Sequence, residues 1–139
     1  MKQRHFLSLL ALVVSVAFIV GCSIGSSPDY VGTWVATDGI GPGTGTFTWT
    51  ITTTTMHFAI AGGTAGVGTA DASLVVDESA KHMTMTITSS TGAFIAFFVP
   101  PEVFYTTYAV TGNTLQVANP VASLPFPPDA TGGLTLTKQ

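Results

Sequence analysis

Few residues in this chain have side chains that could do chemistry. Past the first few positions there are two histidines, His57 and His82, with Asp71, Asp77 and Glu78 the carboxylates between and beside them. Imidazole and carboxylate together can hold a divalent metal or pass protons. Metal sites, however, favour spacings such as H-x-x-x-H or H-E-x-x-H, and neither occurs. "DESAKH" (77–82) reads as a turn. His57 falls between Met56 and Phe58 and so takes the opposite face of a strand, where it meets solvent. There is no phosphate-binding glycine loop. The one sulfur nucleophile is Cys22, the single cysteine of 139 residues, so no intramolecular disulfide can form. The expectation is a non-enzymatic protein with no cofactor and no metal, in which Cys22 bears the one modification.

Cys22 ends a hydrophobic run instead of sitting within a fold. Lys2 and Arg4 make a short positive segment, and Phe6 to Val20 carry no charge. As a helix that run would rise about 22 Å, short of a ~30 Å hydrocarbon core. A positive start, a short apolar stretch and a small residue before a break form a secretory signal. The residues "IVGC" (Ile19–Cys22) resemble the lipobox of bacterial lipoproteins. That resemblance implies a diacylglyceryl thioether on Cys22, cleavage before it, and an acylated first residue. Two or three acyl chains hold a protein stably on a membrane, whereas one does so only marginally. The alternatives are an ordinary signal peptide or an uncleaved anchor, with Cys22 a bystander. The expected division is a signal peptide (1–21), an acylated cysteine with its tether "SIGSSPD" (22–29), and one domain (30–139). The location implied is the bacterial cell envelope, anchored to the membrane by lipid. Ser23, in place of an aspartate, favours the outer membrane in a host with two.

Once the signal has gone, Lys81 and Lys138 are the only cations left against seven carboxylates. With no basic patch to neutralise a row of phosphates, nucleic acid is excluded as a partner. Threonine, serine and glycine supply most of the remaining polarity, a composition that suits strands and turns over helices.

These residues must be positioned by strands, and period two runs through the chain. In "TFTWTITT", Phe47, Trp49 and Ile51 share one face and the threonines the other. "MHFAIA" groups Met56, Phe58 and Ile60. "HMTMTITS" groups Met83, Met85 and Ile87, and "GLTLTK" pairs Leu134 with Leu136. One dry and one wet face on each strand predicts antiparallel sheet. Turn residues fall between the patterns: "DGIGPGTG" (38–45), Gly62–Gly63, "DESAK" (77–81), "SSTG" (89–92) and "TGN" (111–113). Pro100–Pro101 interrupts "AFIAFFVPPEVFY". The strands expected lie near 31–37, 46–52, 55–61, 67–76, 83–89, 94–99, 104–110, 114–118 and 133–138, with one long connection over 119–132. Eight or nine short antiparallel strands with hairpin links predict an all-β, up-and-down β-barrel, closed so that no edge is left unpaired. A two-sheet sandwich is the competing architecture.

"YVGTWVAT" carries Gly32 and Trp34 in a G-x-W that resembles the opening strand of lipocalins and lipocalin-like bacterial lipoproteins. "YAVTGNTLQVANP" is similar to a hairpin near the end of such domains, matching at Tyr108, Val110, Gly112, Asn113, Leu115 and Val117. "GLTLTKQ" is similar to their last strand. The resemblance implies a lipocalin-like barrel in which Trp34 packs over the closed end. No arginine stands on the last strand to stack on Trp34, and Lys138 is the nearest cation.

The residues expected to line the lumen are Trp34, Phe47, Trp49, Met56, Phe58, Met83, Met85, Phe94 and Tyr108, joined by Phe97, Phe98 and Phe104. In a wide barrel they form a pocket for a small apolar ligand. In a narrow one they fill it, leaving a structural or protein-interaction lipoprotein of the envelope. "FFVPPEVFYTTY" (97–108) also suits an exposed docking loop.

Overall fold

Alternation of threonine with large apolar residues gives each strand one face that gains from leaving water and one that can stay in it. The computed structural model describes residues 26–37, 45–64 and 66–139. Within them the chain forms eight strands: β1 (Gly32–Thr37), β2 (Thr46–Ile51), β3 (Thr55–Ala61), β4 (Gly68–Asp77), β5 (His82–Gly92), β6 (Val103–Thr111), β7 (Thr114–Val117) and β8 (Leu134–Lys138). Each pairs antiparallel with the next, and β8 returns to β1, so the sheet closes into an up-and-down barrel. The sandwich is thereby excluded. Closure rests on a short seam in which Trp34 faces Lys138 and Val35 faces Thr137. Gln139 extends it by donating its backbone N–H to the Thr33 carbonyl.

Register carries the inward set across the sheet. Trp34 lies opposite Trp49, Trp49 opposite Phe58, and Phe58 opposite Ala70. Ala70 and Ala72 on β4 give the bulky side chains of β2 and β3 room, a small-against-large arrangement that a narrow barrel needs. The inward residues of β2, β3 and β5 form one buried cluster with Trp34, Leu74, Tyr108, Leu115 and Leu136.

Two sequence expectations are corrected. No strand forms over 94–99. The segment begins with a 3₁₀ turn, Ala93–Ala96, because Gly92 holds a positive φ of 57° and turns the chain across the barrel end. A side chain at Gly92 would stand 2.1 Å from the Val67 carbonyl oxygen, so only glycine fits. "SSTG" (89–92) is not a turn and instead completes β5. There the register slips: Asp71 faces Ser89 while Ala72 faces Ile87, which leaves Thr88 as an extra residue in a bulge. Thr88 and Ser89 are consequently both exposed.

The other punctuation agrees with expectation. Gly62, Gly63 and Gly112 have positive φ at their turns. "DGIGPGTG" lies outside the described residues except for Gly45. Residues 1–25, and with them the expected signal segment, Cys22 and the first part of the expected tether, also lie outside. Among the described residues no helix is long and apolar enough to cross a membrane. The long connection after β7 folds back over the outside of β6. Val121 bridges Tyr105, and the Thr107 hydroxyl donates to the Pro127 carbonyl. That cover buries Thr107 although it lies on the outer face of its strand.

Candidate functional site

The meander gives the barrel two distinct ends. One gathers Gly32, the turns before β3, β5 and β7, and Lys138. The other gathers the links into β4, β6 and β8. Both ends have stoppers, built in different ways.

At the first end the chain leading into β1 is itself the stopper. Tyr30 is buried and meets the Tyr108 ring edge-on, with centroids 5.6 Å apart. The indole Nε1–H of Trp34 donates to the Tyr30 carbonyl at 2.9 Å. Asp29 reaches Lys81 at 3.8 Å, and the Lys81 ammonium stands 5.2 Å from the Tyr108 ring centroid. Lys138 crosses Gly32 to place its Nζ 5.1 Å from the Trp34 ring. A Cβ on Gly32 would come within 2.8 Å of Lys138 Cε. The absence of a side chain at Gly32 thus makes way for Lys138, whose ammonium lies over the Trp34 ring.

At the second end the stopper is aromatic. Phe94, on the 3₁₀ turn, is buried over the mouth and meets Phe98 at 5.3 Å and Phe47 at 6.3 Å. Phe98 stacks on Phe58 at 5.5 Å with planes 16° apart, and touches Phe104 edge-on. Below them Trp49 meets Phe58 at 5.1 Å. Phe98 and Phe104 are half-buried, so this end presents rings to solvent. Outside the stopper Phe97 is 72% exposed, Val67 71%, and Ile95 and Val99 58% each. Phe97, expected in the lumen with its neighbours, therefore lies on the rim.

The nine residues expected to line the lumen are all buried, and all belong to the single core cluster. Sequence reasoning missed Tyr30, whose signal was its place four residues before Trp34, at a spacing that lets its carbonyl meet the indole N–H. Between the ends, Met56, Met83 and Met85 supply unbranched, deformable side chains.

The histidines stand on the outside. His57 Nδ1 lies 2.6 Å from Asp71 Oδ1, and Ser89 donates to Asp71 Oδ2 at 2.7 Å. These hydrogen bonds, from His57 first and Ser89 second, lower the Asp71 carboxyl below its ordinary value. The serine meets the carboxylate and not the imidazole, so the row lacks the order of a nucleophilic relay. His82 stacks on Phe126, with centroids 3.9 Å apart. It pins the long connection to the barrel.

No family model matches the chain, and no curated protein or solved structure matches it either.

Proposed function

We propose that this chain is a lipid-anchored lipoprotein of the bacterial envelope whose barrel takes a small apolar molecule at its aromatic mouth, without catalysis. The observation that carries the reading is the half-buried pair Phe98 and Phe104 at one end: Phe98 stacks on Phe58, tilts against Phe94 and meets Phe104 edge-on. A hydrophobic face left partly wet at the mouth of an eight-stranded barrel suits one small ligand, since such barrels are just wide enough to be filled or to hold one. The ring-on-ring contacts are non-directional, so an apolar guest can replace them at little cost. The lipid anchor rests on the "IVGC" sequence (Ile19–Cys22).

Two experiments test the two halves of this reading. Residues 26–139, which include the whole closed barrel, are purified and their native and denatured masses compared. An apolar passenger is expected, and it should be lost in Phe98→Glu with the fold retained. A clean apo mass, with no uptake of neutral hydrophobic dyes, would reject the ligand. For the anchor, Cys22→Ser should release the full-length protein from membranes, and unchanged retention would reject acylation.

A second reading has its own observation. Val67, Ile95, Phe97 and Val99 form an exposed apolar rim outside the stopper, which suits contact with a protein partner in the envelope. Loss of a crosslinked partner in Phe97→Ser, with ligand uptake unchanged, would favour it.

A further inference from the structure

Buried polar groups in folded proteins nearly always find partners, and a side chain that does not needs a reason. The buried Trp34 N–H, Thr106 hydroxyl and Thr107 hydroxyl all bond to carbonyls of this chain. The Tyr108 hydroxyl does not. Its ring is 1% exposed, and its oxygen is the one buried side-chain polar atom among the described residues without a hydrogen bond. Phenylalanine would fill nearly the same space without that cost, so packing alone does not account for a tyrosine here.

Its position suggests what the missing partner is. Phe104, Thr106 and Tyr108 alternate along the inward face of β6, with Phe104 at the aromatic mouth. Four residues of strand separate Phe104 from Tyr108, about 13 Å. Met83 faces Thr106 and Met85 faces Phe104 on the neighbouring β5. Two unbranched methionines, able to shift around a guest, thus stand beside the inward face of β6 that runs from Phe104 to Tyr108. We infer that Tyr108 is the polar contact of the ligand held by this barrel, and that the ligand is a neutral, mainly apolar molecule carrying one hydroxyl or carbonyl group at its inner end. This inference rests on the ligand-binding reading above.

The charges around the phenol set the class. Burial raises the Tyr108 ionisation well above its ordinary value, and Asp29, Glu78 and Asp77 add to the shift. The group stays protonated and can donate. Those carboxylates outnumber Lys81, the one cation against the ring. A carboxylate head would meet a net negative field at this end, whereas an alcohol, ester or ketone oxygen would accept the phenol proton without penalty.

The test uses residues 26–139 and the neutral dye N-phenyl-1-naphthylamine, displaced in turn by 1-decanol, decanoate and decane at pH 7. Decanol should displace the dye about five-fold better than decane, the worth of one neutral hydrogen bond, and better than decanoate. Tyr108→Phe should erase the preference for decanol over decane while leaving the melting temperature of the ligand-free protein unchanged or higher. Equal displacement by decanol and decane in the wild type would overturn the inference, whether or not the variant folds. So would a preference that survives in Tyr108→Phe. A lower melting temperature in that variant, with the preference intact, would assign the hydroxyl to an internal water. If the dye itself does not bind, the ligand-binding reading falls, and this inference with it.

Discussion

The two ends of the barrel are stoppered with similar rings and opposite physics. At the end where β1 begins, Tyr30, Trp34 and Tyr108 are held by an N–H to carbonyl bond, by ammonium groups over the Trp34 and Tyr108 rings, and by the Asp29–Lys81 pair. At the mouth, Phe47, Phe58, Phe94, Phe98 and Phe104 hold one another by ring contacts with no polar bond between side chains. Directional bonds fix one geometry and lose their value when it is disturbed. Dispersion and burial carry no such memory of direction, so one apolar group can replace another. A barrel built this way is firm where β1 begins and yielding where the rings meet water.

Substitutions can break that contrast, and the largest effect belongs to the firm end. Trp34→Ala removes the largest fully buried side chain and strands both the Tyr30 carbonyl and Lys138. A loss of about 3–5 kcal/mol is expected in urea unfolding, enough to abolish the fold in a marginal domain. At the mouth, Gly92→Ala forces a side chain against the Val67 carbonyl at a φ of 57°. It should cost about 1–3 kcal/mol. The 3₁₀ turn should loosen before the barrel does, which hydrogen exchange at Ala93 and Phe97 would detect.

How much of this contrast could be read in the sequence depends on the local period. The inward faces of β2, β3 and β5 were legible because Phe47–Ile51, Met56–Ile60 and Met83–Ile87 alternate with threonine or other outward residues. The mouth was not. "AFIAFFV" is apolar throughout and reads as a buried strand, but after Gly92 it leaves the sheet in a 3₁₀ turn, and Phe94 is buried and Phe98 half-buried while Phe97 is exposed. "SSTG" reads as a turn by composition, yet its serines and threonines are the outward residues of a bulged strand. Thr107 looks exposed by alternation and is buried by a connection distant in sequence. Tyr30 precedes the first strand, so no pattern included it. Tertiary cover and backbone φ decided each of these, and neither leaves a periodic trace.

Smaller perturbations sharpen the comparison. Lys138→Gln keeps a polar end on a side chain one atom shorter and removes the charge over Trp34. A loss of about 0.5–1 kcal/mol is expected, with dye uptake at the mouth unaffected. The band between the ends should respond least. The Asp71 carboxyl is lowered by His57 and Ser89, so its stabilisation is complete above the unfolded carboxyl range, about pH 4. It is lost as pH falls through the lower folded value. A slight drop in melting temperature on acidification below about pH 4 should therefore be reduced in Asp71→Asn, and the small size follows from the exposure of the pair.

A mouth that admits an apolar guest, opposite an end held shut by Tyr30 and Trp34, makes the two ends separable by substitution. The most direct measurement is titration of residues 26–139 with N-phenyl-1-naphthylamine, comparing wild type, Phe98→Glu and Tyr30→Ala. Saturable binding in the wild type, lost in Phe98→Glu and kept in Tyr30→Ala, is the predicted result. No binding by the wild type, or equal loss in both variants when both are folded, would contradict the account.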